Sequence, residues 1–403
     1  MGLHVGQFND SFKPIMDGVG VCMENYARWI HRNHGRATVV APEAPGYADA
    51  CEYEVLRFFA APLPHMKPFR AGLPWLDPAF MHRFRRARFD LVHAHCPFVS
   101  GKLARGVSRR RRIPMVATFH SKYRDDFLTV TGSPTLARLG LRYVVGFYEA
   151  ATEVWTPNRA TARTLQSYGF RGSVEVVPNG TDLEPPTAAE HAALAARGRR
   201  HLGLSAADGS LPVYLFVGQH RWEKNVELII HTLSVLHRRG HDFRMVFAGT
   251  GYAERAMQRM CRAEGIAEKV SFLGLILERE RLKELYATAT VLLFPSLYDN
   301  SPLVMREAAG FGVPTVLIRG ASAAEGVTAG ENGFLTDNDP GALAALLARC
   351  AEDPRLAQRV GEGARRDIYL HWRDVVADVY RRYEVIVKRS RRSSVRVDQG
   401  IGT

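Results

Sequence analysis

The sequence predicts an α/β protein built as two doubly wound domains, and three observations carry that prediction. At 403 residues the chain exceeds what one hydrophobic core usually supports. Short apolar runs alternate with longer helical stretches, the mark of parallel sheets with crossover helices. This alternation occurs twice, in two series separated by a stretch of different composition from Asp182 to Leu211.

The strands expected in the first series are His4–Phe8, Thr38–Ala41, Leu91–Ala94, Met115–Phe119, Glu153–Thr156 and Val174–Val177. Between the first two, Val21–Asn33 reads as a helix, with Val21, Tyr26, Trp29 and Ile30 at helical spacing. The separating stretch opens with Glu184-Pro185-Pro186, turns Ala- and Arg-rich, and ends Asp208-Gly209-Ser210, so it reads as a connector carrying one short helix. The second series is Val213–Val217, Arg244–Ala248, Val270–Leu273, Val291–Phe294, Thr315–Ile318 and Gly333–Leu335. An aromatic-rich helix over Ala364–Val387 follows, and the basic tail after Arg389 is expected to be disordered. The expected boundaries are therefore a first domain over 1–183, a linker over 184–210, a second domain over 211–363, a closing helix over 364–388 and a tail over 389–403.

Composition excludes several classes. No apolar run approaches the roughly 18–20 residues that span a bilayer. The opening MGLHVGQF lacks the basic and long apolar segments of a secretory signal. Five cysteines are scattered without a Cys-x-x-Cys pair, which reads against a disulfide framework or a zinc site and for a reducing, cytoplasmic compartment. The formal charge of +13 concentrates in Arg83–Arg88, Arg109–Arg112 and Lys388–Arg396. No aromatics interleave with these runs as a base-stacking groove requires, so nucleic acid is not expected as a partner. A solvated surface, or peripheral contact with an anionic membrane or acceptor, remains open.

Four segments carry candidate chemistry. In FPSLYDNSPLVMREAA, Phe294–Ala309, a strand runs through a loop into a helix with Ser301 expected as N-cap and Pro302 as first residue. The backbone N–H groups of Leu303 and Val304 then offer an anion site suited to a diphosphate. Glu307 lies where a carboxylate can accept from ribose hydroxyls, and Asp299, beside Asn300, precedes the cap. In FVGQHRWEKN, Gly218 lets the backbone pass close to a ligand, while Arg221 and Lys224 supply cations for a leaving diphosphate. Asp17-Gly18-Val19-Gly20 is a small-residue turn opening a helix. His120, in Thr118-Phe119-His120-Ser121, ends a strand where ligands bind in open α/β sheets. Each also has a plain alternative: a capped helix with surface acids, a basic loop, a common glycine turn and a core-edge histidine. His93 and His95 read as structural. Gly249-Thr250-Gly251 fails as a dinucleotide fingerprint because Glu254 stands at its third glycine. Asp337-Asn338-Asp339 could suggest a metal, but Asp339-Pro340 reads better as a helix start.

Taken together these residues resemble the retaining glycosyltransferases of family 4, which have the GT-B fold, two Rossmann-like domains facing across a cleft. Asp299 to Glu307 is similar to the family's E-x7-E element with Asp replacing the first Glu, Val177–Asp182 (VPNGTD) to its signature closing the first domain, and FVGQHRWEKN to its VGR-x4-K element. Gln219 stands where the family usually has Arg. The resemblance implies a nucleotide-sugar donor, UDP- or GDP-linked, and transfer of a hexosyl group to a small-molecule, glycan or lipid acceptor with retention. It implies no metal and no cofactor. Lys224 and Arg221 would bind the diphosphate with backbone at Gly18, Leu303 and Val304. Glu307 would bind the ribose, Asp299 and Asn300 the donor sugar, and His120 the sugar near its reacting carbon. The last helix would return to the first domain. An epimerase or phosphorylase of the same fold, or a non-catalytic sugar-nucleotide-binding protein, are the competing functions.

Overall fold

The computed structural model describes residues 2–15, 17–63, 69–205, 209 and 211–399. The chain divides into two compact units: Met1–Asn179 with Trp372–Thr403, and Gly180–His371.

In the first unit the elements run β1 (His4–Phe8), α1 (Gly18–Asn33), β2 (Arg36–Pro42), β3 (Glu54–Phe58), β4 (Ala60–Pro62) and β5 (Arg70–Gly72). They continue with α2 (Pro78–Arg86), β6 (Leu91–Ala94), α3 (Val99–Arg111), β7 (Met115–Thr118), α4 (Tyr123–Thr131) and α5 (Pro134–Tyr148). β8 (Glu153–Thr156), α6 (Arg159–Ser167) and β9 (Val174–Val176) complete the first pass. Seven strands form one parallel sheet in the order β3-β2-β1-β6-β7-β8-β9, and β4 and β5 make a small antiparallel pair. The strand order reverses beside β1, so α1 leaves at the switch point where open sheets bind ligands. β3 and the β4–β5 pair were not expected from the sequence, since their side chains are only partly buried and lack a continuous apolar run.

The second unit holds α7 (Ala188–His201), β10 (Val213–Val217), α8 (Val226–Arg238), β11 (Arg244–Ala248), α9 (Glu254–Ala263), β12 (Val270–Phe272) and α10 (Arg279–Thr288). It continues with β13 (Val291–Leu293), α11 (Leu303–Gly310), β14 (Thr315–Ile318), β15 (Phe334–Thr336), α12 (Pro340–Glu352) and α13 (Pro354–Asp367). Its six strands are parallel in the order β12-β11-β10-β13-β14-β15, with the switch between β10 and β13. Helices cover both faces, which is why strands such as Val213–Val217 are apolar at nearly every position.

Three expectations change. The connector is a working part of the second unit. A capping box, Thr187 with Glu190, starts α7, and Gly198 lets that helix lie against α10, since a Cβ there would sit 2.2 Å from Thr288 Oγ1. The closing helix is two helices. α13 ends at Asp367, the chain crosses back where the Thr181 N–H donates to the Leu370 carbonyl, and α14 (Trp372–Gln399) begins there. Finally, the tail expected to be disordered continues α14 as far as Gln399; residues 400–403 lie outside the described residues. α14 belongs to the first unit, where Trp372 packs on Tyr26 and Tyr383 stacks on Trp155 with ring centroids 5.4 Å apart.

Candidate active site

In the second unit the candidate side chains gather at the carboxyl ends of β10 and β13. β10 exits through Gly218, whose φ of 153° suits only glycine. The loop that follows is held by backbone contacts with the exit of β11. The Gly218 N–H donates to the Ala248 carbonyl at 3.0 Å and the His220 N–H to the Thr250 carbonyl at 2.9 Å. A Cβ on Gly249 would fall 1.9 Å from the Gly218 oxygen, and one on Gly251 2.2 Å from the His220 oxygen. Gly249-Thr250-Gly251, set aside as a failed fingerprint, is thus the backing on which the basic loop rests. Glu254, the residue that spoils the fingerprint, bonds the fully buried His220 ring at 2.9 Å. Burial lowers the His220 pKa even against that neighbouring carboxylate.

Lys224 ends a short 3-10 turn, Trp222–Lys224, and Asn225 follows in the left-handed region. The Asn225 amide donates to the Pro295 carbonyl at 3.2 Å, tying this loop to the one leaving β13. Lys224 then makes an ion pair with Asp299. One Asp299 oxygen takes the ammonium, and the other is buried with no hydrogen-bond partner among the described residues. Arg221 turns elsewhere, pairing with Glu223 at 3.2 Å and lying 6.0 Å from the Tyr252 ring centroid. The two cations of the loop therefore do not converge in this state.

The loop Pro295–Pro302 is shaped by Ser296, a residue the sequence reading passed over. Its fully buried hydroxyl accepts from the Tyr298 and Asp299 N–H groups, both at 3.2 Å, which orients Asp299. Pro302, with φ −68° and ψ 129°, is the N-cap of α11 and Leu303 its first residue, so Ser301 is not the cap expected of it. Leu303 and Val304 still open the helix, where N–H groups have no preceding turn to bond. Asn300 is buried beside them. Glu307, one turn further, is buried and accepts from the Tyr286 hydroxyl at 2.6 Å. Arg279 lies 3.7 Å from its other oxygen and also pairs with Asp182 of the VPNGTD segment. Neither Tyr286 nor Arg279 was foreseen; both come from α10, and no motif advertises them.

Asp339 caps α12 by accepting from the Ala342 N–H at 2.7 Å, the role read from the sequence in preference to a metal ligand.

In the first unit, Asp17 caps α1, its carboxylate accepting from the Val19 and Gly20 N–H groups at 2.9 and 2.8 Å. The helix dipole there already meets a negative charge, so what Gly18 offers a ligand is space: a Cβ on it would touch nothing within 4 Å. His120 follows β7 and is partly exposed at the residue level. Its ring Nε2 lies 3.1 Å from His95 Nδ1, and desolvation pushes its pKa down to about 4. Beneath it runs a buried polar layer. His95 Nε2 meets Gln7 Oε1 at 2.7 Å, while His93 meets the Tyr383 hydroxyl at 2.6 Å and the Thr118 hydroxyl at 2.7 Å. His93 and His95 are fully enclosed, and burial lowers the pKa of both.

The three basic runs, remote in sequence, meet on one face of this unit. Arg111 donates to the Arg85 carbonyl at 2.6 Å and to that of Ala87, and Arg391 pairs with Asp90 at 2.6 Å. A cavity of about 180 Å³ lies there, lined by Phe84, Arg85, Val107, Arg110 and Arg111. Because β6 and β7 start at Leu91 and Met115, this face sits at the amino edge of the sheet, opposite the edge carrying Gly18 and His120.

Comparison with known proteins identifies the family and the fold. The family described as "Glycosyltransferase Family 4" matches residues 16–185, and "Glycosyl transferases group 1" matches residues 205–367. The chain belongs to glycosyltransferase family 4. Among curated proteins it is similar to the D-inositol 3-phosphate glycosyltransferase of Acidothermus cellulolyticus, 28% identical over 331 residues, covering 78% of this chain and 71% of that one. It also resembles the alpha-monoglucosyldiacylglycerol synthase of Streptococcus pneumoniae, 21% identical over 78% of this chain and 70% of that one. Among solved structures it matches Anabaena Alr3699/HepE in complex with UDP and glucose, with a TM-score of 0.73, 20% identity, and coverage of 95% and 100%. The sucrose-phosphate synthase of Thermosynechococcus elongatus gives a TM-score of 0.78 at 19% identity, covering 95% and 99%. The fold is thus GT-B, with two Rossmann-like units, and the protein is a family 4 glycosyltransferase. No helix among the described residues is long and apolar enough to cross a membrane.

Proposed function

We propose that this enzyme transfers a hexosyl group from a UDP- or GDP-linked sugar to an acceptor, with retention and without a metal ion. The observation that carries the reading is the constellation at the start of α11: Lys224 paired with Asp299, and Glu307 buried one turn into the helix. Breaking the anomeric bond leaves negative charge on the diphosphate and oxocarbenium character on the sugar. Lys224 and the α11 N–H groups of Leu303 and Val304 meet the first, and Arg221 joins them by leaving Glu223. A diphosphate draws Lys224 away from Asp299, and the freed carboxylate, with Asn300, takes sugar hydroxyls. Glu307, steadied by Tyr286 and Arg279, accepts from the ribose. Gly18 gives the donor room, and His120, neutral at physiological pH, hydrogen-bonds the sugar near the reacting carbon. The acceptor attacks from the face the diphosphate leaves, and a donor phosphate oxygen takes its proton. HepE binds UDP with glucose, and relatives named for inositol phosphate and diacylglycerol point to a polyol phosphate or a lipid as acceptor. We place the enzyme in the cytoplasm, with any peripheral contact to an anionic membrane made by the basic face at Arg83–Arg88 and Arg109–Arg112.

The test is incubation with UDP- and GDP-hexoses and a panel of polyol phosphates and diacylglycerol, with the anomeric configuration of the product read by NMR. An α-linked product from an α-linked donor, formed in the presence of chelator, is expected. Donor binding without turnover across the panel, or an inverted product, overturns the reading.

A further inference from the structure

Cys22, His95 and His120 come from three separate elements, α1 and the exits of β6 and β7, yet one ligand atom from each lies within 4.8 Å of the others. The histidines are already arranged for coordination. The Gln7 amide oxygen only accepts, so the 2.7 Å contact places the hydrogen of His95 on Nε2. Its lone pair therefore sits on Nδ1, facing His120 Nε2 at 3.1 Å, close to the edge of a tetrahedron with Zn–N bonds of about 2.0–2.1 Å. A ring whose second nitrogen is fixed by an amide or carboxylate oxygen is the usual outer support of a metal-bound histidine. Cys22 closes the triangle from α1, its sulfur 3.6 Å from Asn179 Oδ1.

We infer that Cys22, His95 and His120 form a zinc site that inhibits the enzyme when filled. One thiolate and two imidazoles suit Zn²⁺, which takes three protein ligands and leaves a fourth position open. On binding, the Cys22 thiol gives its proton to solvent. His120 loses the hydrogen on Nε2 and takes one on Nδ1, so one proton is released per zinc bound. The bound metal fixes His120 in the ligand set and withdraws it from sugar. Binding stands apart from the proposed function; inhibition rests on it, through the role given to His120.

Cys22 is outside the donor machinery, so Cys22→Ala separates the two. The full chain is titrated with Zn²⁺ against a chromophoric chelator, and with Co²⁺ while its absorption spectrum is recorded. The parent is expected to take one Zn²⁺ and to show a thiolate-to-cobalt charge-transfer band. Cys22→Ala should lose the band and more than about 100-fold in affinity, exceeding the 10–100-fold typical of an outer-shell partner. Its metal-free transfer rate should stay within about twofold of the parent and no longer respond to Zn²⁺, whereas Cys51→Ala should behave as the parent. Undiminished zinc binding by Cys22→Ala, a cobalt spectrum without the thiolate band, or loss of binding in Cys51→Ala overturns the site. Zinc binding through Cys22 with transfer unaffected overturns the inhibition alone.

Discussion

Gly18→Ala should leave the fold intact and cripple the reaction. The added methyl meets nothing within 4 Å, and Gly18 is the first residue of α1, in a conformation that any residue adopts. Alanine in place of glycine favours a helix by up to about 1 kcal/mol in an interior position and by less at its first turn, so the melting temperature should hold or rise slightly. The space it fills is the space proposed for the donor. A donor displaced by about 1 Å from its productive position costs on the order of 10²-fold in kcat/KM, about 2.7 kcal/mol. Thermal melting and steady-state kinetics with the donor varied measure both halves. Unchanged kinetics at unchanged stability would remove α1 from the donor site. A large fall in melting temperature would show that the open space at Gly18 is not open.

Gly249→Ala should do the reverse. Its Cβ falls 1.9 Å from the Gly218 oxygen at a φ of 139°, so strain of about 1–3 kcal/mol and a displaced Lys224 loop should appear as a lower denaturation midpoint together with lost activity. Lys224→Ala should lower kcat by about 10²–10³ while donor affinity, measured by calorimetry, changes far less; equal losses in both would assign Lys224 to ground-state binding. Glu307→Ala should weaken donor binding and, by stranding the buried Tyr286 hydroxyl, cost about 1–3 kcal/mol of stability in a urea titration. Stability should also fall in acid. Burial holds the folded-state pKa of His93, His95, His120 and His220 below the ordinary value of 6.5. The unfolded chain binds protons there first, so stability is complete above pH 6.5 and drops below it by up to about 1.4 kcal/mol per pH unit for each group. Denaturation at pH 7.5, 6.5 and 5.5 in chelator checks this, and a flat profile contradicts it.

What the sequence made legible follows from what each feature depends on. Strands such as Val213–Val217 and Thr315–Ile318 announce themselves because both sheet faces are buried, and the residues of Phe294–Ala309 because strand, loop and helix start are contiguous. The partners that position them are not contiguous. Tyr286 and Arg279 reach Glu307 from another helix, and Gln7 orients His95 across β1 and β6. The same limit explains the cysteines: spacing along the chain argued against a zinc site, whereas Cys22 meets its histidines only through tertiary structure. α7 is the short helix expected within the connector, but the Ala- and Arg-rich composition of that stretch does not show what it packs on, and the one hint is a glycine, Gly198, inside the helix. The Ser301 cap erred by one residue, since Pro302 itself takes the extended conformation that precedes α11.

The second unit is spliced into the first, and this bears on how the protein is made. The first sheet is synthesised early but lacks α14, which supplies Trp372 to Tyr26 and Tyr383 to His93 and Trp155. On the ribosome, Gly180–His371 can close its own core while the amino-terminal sheet still waits for its final helix. The usual order, amino-terminal domain first, should therefore be inverted. A chain truncated before Trp372 should leave the second unit folded and the first one open to protease.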